Sequence, residues 1–221
     1  WLNGGVLEEG VLHYPEAGTP QGGSSSPLLS NVYLHYVLDR WFAQEVKPRL
    51  RGRAFMIRFA DDAVMGFELQ EDAEQVFRVL PKRFGKYGLT IHPDKTRLVA
   101  FGRPHGTKGQ RPGTFDFLGF THYWGKSRRG KWIVKAKTAR ERLSRGLKRI
   151  DEWCRRHRHE PVVTQHRELC QKIRGHYAYY GMTGNGLWLK KFNQGVRRIW
   201  RKWLHRRSRM PSDMPWDRFV R

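Results

Sequence analysis

The amino-acid sequence predicts an α+β fold, in which an antiparallel sheet with packed helices is followed by an all-α bundle of about three helices. Short apolar runs separated by turns fill the first half, and amphipathic helical stripes fill the second. Residues 1–120 carry 15 basic and 13 acidic side chains, whereas residues 121–221 carry 28 basic and 7 acidic side chains. Such an abrupt change is typical of a domain boundary. We predict a first domain over 1–120, a connection over 121–137 and a basic helical domain over 138–221.

The net charge of +23 points to a polyanionic partner. A solvated surface of ion pairs is the alternative, but 7 acidic side chains cannot pair with 28 basic ones in the second half. The sequence has no run of about 18 apolar residues, so we expect no membrane partner. Two cysteines, Cys154 and Cys170, are too few for a disulfide framework, which favours a reducing, cytoplasmic location.

The first elements are a short hairpin around residues 6–14 and a long helix. Ser26 followed by Pro27 is typical of a helix start, and the helix should stop before Pro48. Apolar side chains surround most of its circumference, so we expect the helix to be buried.

Two short apolar runs, 54–59 and 63–67, flank Asp61 and Asp62 and predict a hairpin. An amphipathic helix over 71–87 follows, which Pro81 should kink or split. Further strands are predicted at 97–101, 115–120 and 132–134.

The basic half predicts three amphipathic helices. Thr138 and Glu141 have the spacing of a capping box at the start of the first helix. The second follows Pro161 and ends at Gly181, and the third begins near Leu187. Their apolar stripes are Leu143, Leu147, Ile150 and Cys154; Leu169, Ile173, Tyr177 and Tyr180; and Leu189, Phe192, Val196, Ile199, Trp200 and Trp203.

Asp61 and Asp62 are the first candidate site. Adjacent carboxylates repel each other unless a cation neutralises them, and carboxylate oxygens are ligands of Mg²⁺ in nucleotidyl transfer. A solvated turn without a function is the alternative. The glycine-rich loop 18–23, which contains Gln21, could let the backbone approach a nucleotide closely, or could be a simple loop before the helix.

Five motifs occur in a fixed order along the chain. They are GTPQGG at 18–23 with SPLL at 26–29, FADD at 59–62, GLTIHPDKT at 88–96, FDFLGF at 115–120 and GHYAYYG at 175–181. In this order they resemble the reverse transcriptases encoded by group II introns, which are also called maturases. The resemblance covers essentially the whole chain. It implies that residues 1–120 are part of a polymerase palm and that residues 138–221 are a thumb, or maturase X domain.

The resemblance also implies roles for individual residues. Asp61 and Asp62 match the catalytic aspartates that hold Mg²⁺, with Asp61 as the leading ligand. Lys95 matches a lysine near the nucleotide triphosphate, although a solvated turn lysine is an equal alternative. Contacts to the template, the incoming nucleotide and the primer are implied for Gln21, Gly22, Gly23, Phe59 and Gly119.

The implied partners are intron RNA, an RNA/DNA template–primer duplex and deoxynucleoside triphosphates, in a bacterial-type, nucleoprotein-associated setting. Exposed basic side chains of the thumb are the candidate nucleic-acid contacts. They are Arg155, Arg156, Arg158, Lys190, Lys191, Arg197, Arg198, Arg201, Arg206 and Arg207.

The sequence departs from the family pattern in ways that limit the prediction. The fingers and the palm strand with the first catalytic aspartate have no match, so we expect this segment alone to be inactive. Phe59 replaces the usual tyrosine, and Ser24 and Ser25 replace apolar residues near the nucleotide pocket. The predicted function is therefore primer extension by the full-length protein. A non-enzymatic splicing cofactor with a relic polymerase core, and more remotely a nuclease using the same carboxylates, are the alternatives.

Overall fold

The structure, a computed structural model, describes residues 6–8, 11–13, 26–104 and 112–207. The chain divides into two compact units, residues 1–98 and 99–221. No helix within the described ranges is long and apolar enough to cross a membrane.

The described residues of the first unit form two antiparallel hairpins and two long helices. In order they are strands β1 (Val6–Glu8) and β2 (Val11–His13), helix α1 (Ser26–Leu34) with π-helical turns at His35–Arg40 and Phe42–Val46 and a 3₁₀ turn at Lys47–Arg49, strands β3 (Ala54–Phe59) and β4 (Asp62–Phe67), and helix α2 (Gln70–Gly85). The predicted hairpins, the helix from Ser26 and the amphipathic helix before residue 87 are thus confirmed.

A single apolar cluster holds the long helix, β3 and α2 together. Its buried members are Leu38, Trp41, Phe42, Val46, Ala54 and Val76. Only the second half of the first helix is buried, so the expectation that the whole helix is covered was wrong. Leu28 in α1 is 67% exposed, and Leu29 and Val32 are also exposed. The described residues of the unit leave this outer side uncovered, because the buried apolar cluster involves only the later turns of the helix.

Helix α2 continues through Pro81 without splitting. It ends in a Schellman motif, in which the Leu89 backbone N–H donates to the Phe84 carbonyl and the Gly88 N–H donates to the Gly85 carbonyl. Gly88 has φ of 67°, a conformation that favours glycine, which explains why the helix stops there.

The second unit combines a three-stranded antiparallel sheet with three helices. Its elements are strands β5 (Phe115–Phe117), β6 (Phe120–Lys126) and β7 (Trp132–Thr138) and helices α3 (Arg140–Arg156), α4 (Val162–Tyr180) and α5 (Gly186–His205). The predicted α+β class with three basic helices is confirmed. The core of the bundle consists of Ile150, Cys154, Leu169, Phe192, Val196 and Trp203. Burial raises the pKa of the Cys154 thiol to about 12, so this cysteine is a small apolar residue of the core.

Most of β6 and β7 lies within residues 121–137, the predicted connection, and the two strands pair along their length. The strand predicted at 132–134 is part of β7 and is confirmed. Residues 97–101 form no strand in the described part of the chain. This segment is held by the ring of Phe101, which contacts Phe115 and Trp124, and by one backbone hydrogen bond from Gly113 to Ala100.

The predicted capping box at Thr138 and Glu141 is also wrong, because Thr138 has another partner. Thr138 is the buried last residue of β7, and its backbone N–H donates to Oδ1 of Asn185 at 2.9 Å. The Nδ2 of Asn185 donates to the Thr138 hydroxyl and to the Tyr180 carbonyl, both at 2.8 Å. Asn185 is fully buried and ties the sheet to the α4–α5 connection.

Replacing Asn185 with Asp should destabilise the second unit by about 2–3 kcal/mol, because a carboxylate cannot donate the two hydrogen bonds and would be a buried, unpaired charge. Urea unfolding at neutral pH measures the effect. Gln194→Glu, at an exposed position of α5, is the matched control and should change stability by less than about 0.5 kcal/mol. Equal effects of the two changes would contradict the role of Asn185.

In the first unit, an ion pair ties β3 to the long helix. Arg58 Nε and Nη2 donate to Oδ1 and Oδ2 of Asp39, both at 2.7 Å. The side chains are only 12% and 26% exposed. The hydrogen bond from Arg58 lowers the pKa of Asp39 and outweighs the opposing effect of burial. Asp39 therefore favours the folded state when ionised.

Replacing Asp39 with Asn should lower the free energy of unfolding by about 2–3 kcal/mol at neutral pH, since it leaves a mostly buried guanidinium without its charge partner. The contribution of Asp39 is complete above its ordinary pKa of about 3.9 and is lost as the pH falls through the lower folded-state pKa. Wild type and variant should therefore converge in stability once the pH falls below the lowered folded-state pKa of Asp39. Denaturant titrations at several pH values test this, with the exposed Asp116→Asn as control. A constant difference at every pH would refute the assignment.

Candidate active site

The first unit contains a cleft with a volume of about 620 Å³ between the long helix, the β3–β4 hairpin, α2 and the segment after it. Asp61, Asp62 and Lys95 all line this cleft. Three residues from two separate motifs of the sequence thus line one cleft. Lys95 lies in a helical turn in which the backbone N–H groups of Lys95 and Thr96 donate to the His92 carbonyl.

Asp61 lies in a two-residue turn, because Phe59 at the end of β3 pairs directly with Asp62 at the start of β4. Ala60 has φ of 53°, whereas Asp61 does not have positive φ. Positive φ at the first turn residue alone is the pattern of a type II′ turn, in which glycine is preferred at that position. Alanine there is strained, with a cost of about 1–2 kcal/mol.

The turn carbonyl of Ala60 is held by Arg58. Besides its two bonds to Asp39, the guanidinium donates from Nη1 to the Ala60 carbonyl at 2.7 Å and to Oδ1 of Asn31 at 2.9 Å. On the other wall of the cleft, the Tyr33 hydroxyl donates to the Tyr87 carbonyl at 2.6 Å. The long helix therefore supports both the aspartate turn and the end of α2.

Among the described residues, Phe59 does not line this cleft. It is 64% exposed. Gln21, Gly22 and Gly23 lie outside the described residues.

The aspartate pair has the donor chemistry of a site for a hard divalent cation. Mg²⁺ keeps several waters and is bound by one or two carboxylates together with substrate phosphates. Asp61 and Asp62 are exposed and can supply those oxygens. No group of three or more histidine, cysteine, aspartate or glutamate residues that could hold a metal occurs in the ranges that the structure describes.

The second unit contains a similar tight turn between β5 and β6. Leu118 and Gly119 have φ of 51° and 78°, the pattern of a type I′ turn. The Tyr179 hydroxyl donates to the Leu118 carbonyl at 3.0 Å, and the Ala139 N–H donates to the Gly119 carbonyl at 2.9 Å. The positive φ at Gly119 favours glycine, and a Cβ there would lie 3.0 Å from the Tyr180 hydroxyl, which is a tight contact.

Ala60 and Leu118 are the two non-glycine residues with positive φ in the part of the chain that is described. They lie in the two turns whose motifs, FADD and FDFLGF, suggested function from sequence. Strained backbone of this kind persists where the surrounding structure holds it, which is common at functional sites.

The predicted nucleic-acid contacts are spread over the basic helices. Those that are exposed are Arg155, Arg156, Lys190, Lys191, Arg198 and Arg206, and those that are half-buried are Arg158, Arg197, Arg201 and Arg207. Some already have protein partners: Arg158 donates to His159 and to the Arg155 carbonyl. The exposed members present cations that a phosphate backbone could reach.

Among the aromatic side chains of the helices, most belong to the core. Trp203 is buried, and Trp153 and Trp200 pack against the same cluster. Trp188 is half-buried, with the Lys137 and Lys191 ammonium groups 5.4 and 4.3 Å from its ring centroid.

Sequence reasoning missed Arg58, Asp39 and Asn31. The need for a partner of Arg58 was visible in the sequence: Ala54, Met56 and Arg58 occupy every second position of β3 and so share its inner face, where an arginine needs a partner. The sequence did not identify that partner, because Asp39 lies 19 residues away in a different element.

Comparisons with known proteins agree with these observations. A family described as reverse transcriptase (RNA-dependent DNA polymerase) matches residues 5–122. Group II intron-encoded protein LtrA of Lactococcus lactis subsp. cremoris is 33% identical over 93 residues, covering 38% of this chain and 16% of LtrA. Protein YkfC of Escherichia coli strain K12 is 30% identical over 171 residues, covering 64% of this chain and 42% of YkfC. The chain thus spans less than half the length of either relative.

The family match covers more than half of the chain and includes the motifs at 18–23, 59–62, 88–96 and 115–120. The similarity to LtrA confirms the resemblance to group II intron-encoded proteins. With the acidic turn and the Lys95 turn lining one cleft, sequence and structure lead to the same assignment. The chain belongs to the reverse transcriptase (RNA-dependent DNA polymerase) family.

Proposed function

We propose that this chain is part of an RNA-directed DNA polymerase of the group II intron type, which extends a DNA primer by Mg²⁺-dependent nucleotidyl transfer as the full-length protein. The observation that carries the proposal is the cleft shared by Asp61, Asp62 and Lys95. An acidic pair beside a cation suits a substrate that brings both metal ions and phosphates.

In this proposal Asp61 and Asp62 hold Mg²⁺, which would activate the primer hydroxyl and stabilise the leaving pyrophosphate. Lys95 lies exposed on the same cleft, where its ammonium can contact the triphosphate as a point charge. Gly119 and the turn around it would allow close approach of the primer backbone.

The basic helices of the second unit would bind the template–primer duplex and intron RNA. Their exposed cations can neutralise phosphates and release counterions, which gives affinity without reading the sequence. The excess of 28 basic over 7 acidic side chains after residue 120 supports this role.

Asp61→Ala in the full-length protein should lower primer extension on an RNA template by about 100-fold or more, because a metal ligand contributes several kcal/mol to the transition state. The measurement is single-turnover extension with Mg²⁺ and deoxynucleotides. Glu74→Ala is the control, since Glu74 is an exposed carboxylate of α2 bonded to Gln70 and lies outside the cleft lining. Synthesis that does not depend on Asp61 would leave only the splicing-cofactor alternative.

Replacing Lys190 and Lys191 with Gln should weaken binding to a short RNA duplex and reduce the slope of log K against log salt by about one to two. Fluorescence anisotropy over a range of KCl concentrations measures both quantities. The matched control is Arg78→Gln with Lys82→Gln, two exposed cations of α2 in the first unit. An equal loss of slope in the two double variants would show that affinity follows total charge rather than the helices of the second unit.

A further inference from the structure

We propose that Arg58 is a positioning residue for the catalytic turn, which it holds in the one conformation that directs Asp61 and Asp62 toward the cleft. The inference rests on the proposed function of these aspartates. It assigns to a side chain outside the acidic pair the task of fixing the geometry of the metal ligands.

The first step is the number and direction of the Arg58 hydrogen bonds. Its guanidinium makes four bonds at 2.7–2.9 Å to three partners: both carboxylate oxygens of Asp39, the Asn31 side-chain carbonyl and the Ala60 backbone carbonyl. The planar fork of arginine can satisfy such a set at once, whereas the single ammonium of lysine cannot.

The second step is which peptide group is held. Ala60 and Asp61 are the two central residues of the turn, so the Ala60 carbonyl belongs to the central peptide. Types I′ and II′ differ in the orientation of this peptide, and φ of the second residue is positive in I′ but negative in II′. By fixing the carbonyl, Arg58 selects the II′ form, and it thereby sets φ of Asp61 and the direction of its side chain.

The third step is the rigidity of the anchor. Asn31 and Asp39 lie eight residues apart on the long helix, and at about 100° per residue an α-helix would separate them by about 80° around its axis. The π-helical turns of His35–Arg40 turn less per residue, which brings Asp39 closer to the face of Asn31. Both acceptors can then reach one guanidinium, which is 12% exposed and has little freedom to move.

The fourth step is energetic. The II′ turn prefers glycine at its first central position, but Ala60 occupies it. A turn without the right residue persists only if other contacts favour it. The charge-assisted bond from Arg58 to the Ala60 carbonyl, which joins residues only two positions apart, is such a contact.

Mn²⁺ binding to the full-length protein in the presence of a deoxynucleoside triphosphate and without primer, measured by electron paramagnetic resonance, tests the inference without requiring polymerase activity. Asp61→Asn serves as the reference for loss of the metal site. Arg58→Lys should keep an ion pair with Asp39 but lose the bond to Ala60, and it should weaken Mn²⁺ binding by about 10-fold, as is typical for a residue that orients metal ligands. Arg53→Gln is the matched control, because Arg53 precedes the same strand, pairs with Glu68 and is exposed.

A rescue variant separates positioning from general stability. Adding Ala60→Gly to Arg58→Lys removes the strain of alanine in the turn and should restore a large part of the Mn²⁺ affinity, although it does not restore the lost hydrogen bonds. Thermal unfolding of each variant, monitored by circular dichroism, confirms that the chain is folded at the temperature of the binding experiment. If Arg58→Lys is unfolded at that temperature, Asn31→Ala is measured in its place. This change removes one hydrogen-bond acceptor of the Arg58 guanidinium and should weaken Mn²⁺ binding by several-fold.

The outcomes are distinguishable. If wild type and Asp61→Asn bind Mn²⁺ equally, the proposed function of the aspartates fails. A second outcome is that Asp61→Asn weakens Mn²⁺ binding, whereas the folded Arg58→Lys variant (or Asn31→Ala in its place) binds as tightly as Arg53→Gln. In that case the aspartates hold the metal, but Arg58 does not position them. If Ala60→Gly gives no recovery in the Arg58→Lys background, the effect of Arg58 does not pass through the turn, and the inference is overturned.

Discussion

The first unit depends on the pairing of one inward-facing arginine with the helix beneath it. Arg58 occupies a position of β3 at which Ala54 and Met56 face the apolar core. A cation at such a position is tolerated only if its charge and its donors are satisfied, and Asp39 supplies the charge. The same guanidinium reaches the Ala60 carbonyl, so the stability of the unit and the shape of its acidic turn are linked through one side chain.

Adjacent carboxylates explain why such support is needed. Asp61 and Asp62 repel each other, and a two-residue turn with a strained alanine has no intrinsic preference strong enough to hold them in place. A turn that relaxed toward another conformation would separate the carboxylates from the cleft that Lys95 also lines. The contacts that hold the turn therefore lie behind it, on the helix, and Asp61 and Asp62 stay exposed.

The sequence predicted the elements better than their environment. Alternating and helical apolar patterns located the β3–β4 hairpin, α2 and the three basic helices, because these periods follow directly from backbone geometry. The exposure of Leu28 was not predictable, since an apolar stripe shows which side chains can be buried but not what covers them. Thr138 failed as a helix cap for a similar reason: a residue 47 positions away competes for its hydrogen bonds.

The candidate site was likewise predicted only in part: its motif residues were found from the sequence, but the residues that support them were not. The Asp61–Asp62 pair and Lys95 were found from short motifs, and the structure brings them to one cleft. The predicted roles of Phe59 and of the glycine loop, and the division of the chain into palm, connection and thumb, stay predictions. The sequence did not predict the roles of Arg58, Asp39 and Asn31, because these roles depend on hydrogen bonds between elements and not on any local sequence pattern.

The two strained turns are held in the same way. In each turn a residue other than glycine has positive φ. In each turn a side chain also donates a hydrogen bond to the carbonyl of that residue: Arg58 of β3 donates to Ala60, and Tyr179 of α4 donates to Leu118. Each donor lies on an element that packs into its own unit, so the turn inherits the rigidity of that unit. In the proposed polymerase, turns whose conformation is set by tertiary contacts would place metal ligands and a primer end accurately, since local sequence preference alone would leave several conformations populated.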